Sequence, residues 1–229
     1  MTKEKLEKMI LVGITGYTNN DWQSKIKDID KLGIPRVTLF LERFKLKQRL
    51  AIYDALLKSN IKEIPMVHIR DDMSGEELEF LFNNFKSRCF TIHPYHFQVM
   101  KNWRGFYKYL YLEFGSLNKI DPMVKVEKIG GFCVDLSHFK FESVAGMIEA
   151  DYINRHRKNS KLFACNHLNG YDYKKNEDVH HPKSIHDFDY LIELPKFVFG
   201  KVIGLEMDNT IAEQLKYKKY IIFLLSDDK

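Results

Sequence analysis

The chain has 229 residues, 45% of them hydrophobic and 29% charged, with a formal net charge of +5 and a pI near 8.9. That is the composition of a globular protein without low-complexity tracts, and no apolar run approaches the ~20 residues needed to cross a bilayer, so no membrane-spanning helix is expected. The excess positive charge permits a polyanionic partner without requiring one, because the lysines are spread along the chain. The charged start, Met1 to Lys8, is expected to lead straight into a strand and to carry no signal peptide. Three cysteines (Cys89, Cys133 and Cys165) are too few and too odd in number for a disulfide framework. They read as buried thiols, and a cytoplasmic location is expected.

In chain order, Met9 to Thr15 is a nearly continuous apolar run, the pattern of a strand buried on both faces. A helix is expected from about Asn20 to Leu32, stopped by Gly33 and Pro35. Val37 to Leu41 is the second strand, ending at Glu42. The next helix runs from Leu46 to Ser59, with Leu50, Tyr53, Ala55, Leu56 and Leu57 inward. Ile64 to His68 is the third strand, and the capping box Ser74-Gly-Glu-Glu77 opens a helix with Leu78, Leu81, Phe82 and Phe85 on one face. Cys89 to His93 is the fourth strand. A short connection, 94 to 109, leads to the fifth, Leu110 to Glu113. The link from Phe114 to Lys128 contains Pro122 and reads as a loop. Gly131 to His138 holds the sixth strand, which delivers Asp135 to its C-terminal end. A helix from Glu142 to Lys158, a strand from Leu162 to His167 and a polar loop from Leu168 to Lys183 follow. Ser184 to Phe197 is expected to be helical up to Pro195. Val202 to Glu206 is the eighth strand, and Thr210-Ile-Ala-Glu213 caps the last helix. Eight strand–helix alternations imply a parallel sheet, and their length suits a slightly undersized (β/α)8 TIM barrel of ~250 residues. No Gly-rich phosphate loop follows the first strand, which disfavours an open doubly wound sheet. No linker divides the chain, so residues 1–229 are expected to form one domain.

In such a barrel the C-terminal strand ends share one mouth. Here they carry His68, His93, Glu113, Asp135 with His138, His167 and Glu206, and the loop after the seventh strand adds Asp178 and His180. One strand-end imidazole or carboxylate is usually a satisfied structural group. Nine on one rim would be costly in repulsion and desolvation unless a divalent cation neutralises the carboxylates and uses the imidazole lone pairs. Mixed His/Asp/Glu ligation suits zinc, manganese or iron better than magnesium. His96, His156, His181 and His186 fall outside this set.

These motifs resemble the xylose isomerase-like barrels, and within them the zinc-dependent abasic-site endonucleases of the endonuclease IV family. The likeness is carried by Met66-Val-His68, Thr91-Ile-His93-Pro94, Glu113, Cys133-Val-Asp135-Leu-Ser-His138, His167-Leu-Asn169, Asp178-Val-His180 and Glu206. It spans about Ile64 to Thr210. The resemblance implies up to three divalent ions, zinc by expectation. His68, His93 and Glu113 would hold one, Glu113, Asp135, His167 and Glu206 a second, and His138, Asp178 and His180 a third. Glu113 bridges two of them. It further implies hydrolysis of a phosphodiester by a hydroxide shared between metals, with abasic DNA as the substrate and Glu113 and Glu206 as catalytic groups. Arg70, Lys174 and Lys175 in the rim loops, with Asn169 of the His-Leu-Asn motif, are the expected substrate contacts. Arg43, Lys45, Lys183, Tyr95, Tyr171 and Tyr173 are further rim groups that could meet nucleic acid. Two departures bear on the substrate. Only 25 residues separate His68 from His93 and 20 separate His93 from Glu113, leaving little room for DNA-gripping loops, and Ile69-Arg70-Asp71 replaces the family's Ala-Pro-Tyr.

The same superfamily contains sugar and sugar-phosphate isomerases and epimerases. They use one manganese, magnesium or cobalt ion on a set matching Glu113, Asp135, His167 and Glu206. There Glu113 and Glu206 exchange a proton beside a carbonyl, and His138 contacts a small phosphorylated sugar. A non-enzymatic barrel binding a partner through its rim is the third reading. The sequence leaves the oligomeric state open.

Overall fold

A computed structural model describes residues 1–16, 21–114 and 119–227. Its parallel strands are β1 (Ile10–Leu11), β2 (Gly13–Ile14), β3 (Thr38–Phe40), β4 (Met66–His68), β5 (Cys89–Ile92), β6 (Leu110–Leu112), β7 (Gly131–Asp135), β8 (Phe163–Leu168) and β11 (Val202–Leu205). β9 (Gly170–Asp172) and β10 (Glu177–Val179) form a separate antiparallel hairpin. The large sheet runs β1-β11-β8-β7-β6-β5-β4-β3-β2. β1 and β2 are consecutive pieces of one strand, flanking Val12. One pairs with β11 and the other with β3, so the sheet closes on itself as an eight-stranded barrel.

The seam between the first and last strands has its own chemistry. A Cβ added to Gly13 would lie 2.0 Å from the Leu205 carbonyl oxygen, so only glycine permits this approach. The Gly13 N–H donates to the Gln214 side-chain oxygen at 2.8 Å, and the Gln214 amide nitrogen donates back to the Gly13 carbonyl at 3.1 Å. The same amide nitrogen also meets the Asn209 carbonyl at 3.1 Å. One buried glutamine thus takes the place of a ladder partner where two strand pieces diverge.

The helices are α1 (Lys3–Met9), α2 (Trp22–Lys31), α3 (Leu46–Lys58), α4 (Gly75–Phe85), α5 (Leu136–Ala145), α6 (Ile148–Arg155) and α7 (Ile211–Leu225). The capping boxes at Ser74/Glu77 and Thr210/Glu213 form as expected. Arg49 of α3 is fully buried and ties α3 to α4. Its Nε and Nη2 donate to the Glu77 carboxylate at 2.8 and 3.0 Å, and its Nη1 donates to Asp72 at 2.8 Å. This arrangement satisfies a charge that would otherwise be costly to bury.

Several local expectations are corrected. Lys3–Met9 is helical, because Thr2 accepts the Lys5 N–H and caps it, so the strand starts only at Ile10. Asn20 lies outside the described residues, and the following helix starts at Trp22. In α3, Ile52, Tyr53 and Leu56 face inward, whereas Leu50 and Leu57 are exposed. The expected helix from Glu142 to Lys158 is two helices. Gly146 sits at φ +66° and ends α5 as a left-handed cap, and α5 begins six residues early, at Leu136, on the Asp135 cap. The 168–183 loop holds the hairpin, turned by Asn176 at φ +55° and by Asp172, whose Oδ1 accepts the Lys174 and Lys175 N–H groups. Among the described residues, the connections β5–β6, β6–β7 and β8–β11 contain 3₁₀ turns instead of α-helices. Replacing three crossover helices by tight turns accounts for a barrel this short. In the first of these, Trp103 is buried and its indole N–H donates to the Met73 carbonyl at 3.0 Å.

Leu11, Phe40, Met66, Cys89, Cys133, Cys165 and Val202 pack with Tyr111 in one cluster, separate from the main core. Each of the eight barrel strands contributes one of them, so this ring lines the bore. Strand side chains alternate, so residues two or four further along point inward too, one step nearer the C-terminal mouth. Two residues along stand Glu42, His68, Thr91, Glu113, Asp135, His167 and Gly204, and four residues along His93 and Glu206. The three cysteines are free thiols, as expected.

Candidate metal centre

All nine of the sequence-derived rim residues converge on the C-terminal mouth. They fall into overlapping groups whose donor atoms lie within 4.8 Å of one another: Glu42/His68/His93, His68/His167/Glu206, Glu113/Asp135/His167/Glu206 and His138/Asp178/His180. Of the three expected groupings, the second and third are present. The first differs in that Glu42 joins His68 and His93. Glu113 stays adjacent, its Oε2 3.6 Å from His68 Nδ1. Glu42 follows β3 as Glu113 follows β6, and this shared place at a strand end was the available signal for it.

The centre of the cluster is buried. His167 is fully buried, His68 is 1% exposed and Glu113 3% exposed. His167 Nε2 lies 3.2 Å from the Thr91 hydroxyl, which fixes the ring and turns Nδ1 towards Glu113 (3.0 Å) and Glu206 (3.2 Å). Neither carboxylate contact has hydrogen-bond geometry, and His68 has no hydrogen-bond partner at either ring nitrogen. Glu113 Oε2 and His138 Nδ1 are likewise buried without one. Buried donors and acceptors left this way are rare, and each calls for an explanation. Ligands about 2.1 Å from a tetrahedral zinc stand about 3.3 Å apart, close to the separations around His167. The second nitrogen of a ligating histidine is ordinarily held by a neighbour, which is the role Thr91 fills. The residues present therefore fit a divalent ion.

The charges within the cluster are mutually compensating. Burial favours neutral Glu113, but His167 and His68 beside it outweigh burial and hold its carboxyl down to about 2. Burial likewise disfavours a charged His167, yet the carboxylates of Glu113 and Glu206 raise it well above its ordinary range. Asp135 is pushed up, chiefly by burial. Its Oδ1 accepts the His138 N–H at 2.9 Å and the Ser137 hydroxyl at 2.8 Å, and its Oδ2 accepts from Asn169 at 2.9 Å. One carboxylate thus caps α5 and faces the cluster. Asn169 is fully buried beside Asp135 and holds that acid.

The third group lies nearer solvent. Asp178, carried by β10, sits 3.5 Å from His138 Nε2 and 3.1 Å from His180 Nε2. Burial would raise the Asp178 pKa, but hydrogen bonding to both histidines lowers it. Against the effect of burial, Asp178 and Glu206 raise His180 to about 9. His93 pairs loosely with Glu42 at 4.0 Å, and its backbone N–H donates to His96 Nδ1 at 2.7 Å. His96, outside the expected set, is a buried support: it packs against Trp103, and burial with His93 and His68 nearby lowers it to about 3. Arg70 reaches the rim beside Glu42, with Nε 3.2 Å from Asp72. Lys174 and Lys175 are exposed on the hairpin turn, the latter 3.2 Å from Glu177.

The chain matches no known family, and no curated protein is similar to it. A solved structure, that of an uncharacterised protein from Parabacteroides distasonis, is similar over 94% of this chain and 98% of its own, with 16% identity and a TM-score of 0.45. Among the described residues, no helix is long and apolar enough to cross a membrane.

Proposed function

We propose that this chain is a divalent-metal-dependent phosphoester hydrolase resembling endonuclease IV, with zinc as the expected ion and an abasic site in DNA as the first substrate to assay. The observation that carries the reading is the convergence of four overlapping ligand groups around buried imidazole and carboxylate atoms that have no hydrogen-bond partner in the protein. A one-ion enzyme has no evident use for the His138/Asp178/His180 group. When bound, divalent ions polarise phosphoryl oxygens and lower the pKa of nearby water towards neutrality.

The protein's part is positioning. Glu113 stands between His68 and His167 and can serve two neighbouring ions at once. Thr91 and Asn169 hold His167 and Asp135 so that one face of each points into the cluster. The partly exposed His138, Asp178 and His180 form the side of the mouth where a phosphoryl group would arrive. Arg70, Lys174 and Lys175 supply positive charge further out. No side-chain nucleophile is called for, and the cysteines lie deeper in the bore, with Cys133 pushed up to about 12 by burial.

One observation favours the isomerase reading. Glu113, Asp135, His167 and Glu206 form a complete four-ligand group by themselves. The deciding experiment is elemental analysis of the purified chain coupled to cleavage of a duplex with a single abasic site. Two or three zinc ions per chain with metal-dependent cleavage are expected. About one manganese or magnesium ion, no zinc and no cleavage would overturn the hydrolase reading in favour of the isomerase.

A further inference from the structure

A large cavity, about 1470 Å³, lies away from the candidate metal centre. It opens at the opposite end of the barrel, where β5, β8 and β11 begin. Its walls are apolar, with Met9, Phe163, Leu194, Val202 and Leu225 among them, and Cys89 and Tyr111 of the bore ring meet its inner end. Around it stand six basic side chains, Lys5, Arg88, Lys108, Lys161, Lys196 and Lys201, all exposed. Among the described residues, the acidic member of the lining, Asp227, is engaged by the Met1 amine.

We propose that this mouth binds a single-chain anionic amphiphile, a long-chain carboxylate, with its hydrocarbon tail against the apolar walls and its head group among the lysines. The charge is one-sided, so an anionic head is attracted and a cationic one repelled. The volume exceeds the ~300–1,000 Å³ of ordinary small-molecule sites, which suits a long flexible chain better than a compact metabolite. The apolar walls gain from a hydrocarbon and would gain nothing from the polar backbone of a nucleic acid. Ile192, 62% exposed at the edge, extends the apolar surface outward. The site is separate from the metal ligands and does not depend on the hydrolase reading.

The test is calorimetric titration of the full chain, with chelator present, using saturated carboxylates of eight to sixteen carbons below their micellar concentrations. A sixteen-carbon trimethylammonium serves as control. One saturable site per chain is expected, with affinity rising with chain length and the cationic amphiphile at least tenfold weaker. The double variant Lys161→Glu/Lys201→Glu should weaken carboxylate binding at least tenfold while its melting temperature stays unchanged, since both lysines are exposed. Absence of saturable binding, or equal binding of the cationic chain, overturns the proposal. So does sedimentation showing a dimer that the double variant dissociates, because the face would then be an interface between two copies.

Discussion

Replacing Glu113 by glutamine tests whether the mouth is a metal centre or a self-contained network of buried ion pairs. Glutamine keeps the size of the side chain and removes its charge. If ions bind only the folded chain, zinc at about 100 times its Kd stabilises the wild type by about 2.7 kcal/mol. For a chain of this size that corresponds to a rise of about 5–11 °C in melting temperature. Glu113 contacts His167 at 3.0 Å and lies 3.6 Å from His68, so its loss should weaken the ions on both sides. An affinity loss of about 100-fold brings the same zinc concentration down to Kd, where the stabilisation is about 0.4 kcal/mol and the shift about 1–2 °C. The variant also loses buried contacts to two histidines, a cost of about 3–5 kcal/mol that appears with and without metal. The observable is therefore the difference between zinc-replete and chelator-treated thermal scans, taken separately for each protein. Circular dichroism confirms that the variant is folded. A wild type with no zinc-dependent shift, or a variant that keeps the full shift, would refute the assignment of Glu113 as a shared ligand.

Two further outcomes follow from the fold. Lys25 is 3% exposed, donates to Thr15 and to the Met207 carbonyl, and is lowered from 10.5 to about 8, chiefly by burial. Between those values the unfolded chain holds a proton that the folded chain has released, so stability from this group rises with pH by about 3 kcal/mol across the window. Urea unfolding of wild type and Lys25→Met should differ by an amount that grows accordingly from pH 8 to 10.5, and a flat difference would contradict it. Asn166→Ala should cost about 2–4 kcal/mol in urea. Its buried amide donates to the Val134 and Val198 carbonyls and accepts the Gly200 N–H, so truncation strands three backbone groups, and a cost below 1 kcal/mol would show that they find other partners.

The barrel and its mouth were legible because strand signals are short and local. Ile64–His68 and Cys89–His93 are short apolar runs, and each ends in a histidine whose chemistry stands out. The two capping boxes were readable for the same reason, since donor and acceptor lie three residues apart. What was not legible depends on contacts distant in sequence. Glu42 follows a strand as Glu113 does, but its grouping with His68 and His93 is visible only once β3 lies beside β4. The hairpin that carries Asp178 to His138 was hidden in a polar loop, although Asp172 and Asn176 are turn formers. Gly146 lies inside a run of helical periodicity, which masks the one residue there that prefers a left-handed cap. The 3₁₀ turns carry apolar side chains at helix-like spacing, and only the packing of Trp103 and its neighbours shows them to be tighter.

The Gln214 clasp at the seam also bears on the order in which the chain folds. It joins positions 201 residues apart, so the entropy of closing almost the whole chain must be met before the clasp forms. Before α7 docks, the sheet is an open sheet with exposed edges at both ends, and such edges invite pairing with other chains. During synthesis every strand leaves the ribosome ahead of Gln214, which makes closure the last step and aggregation its competitor. Amide exchange at Gly13, whose N–H is held by that side chain, should report this final step directly.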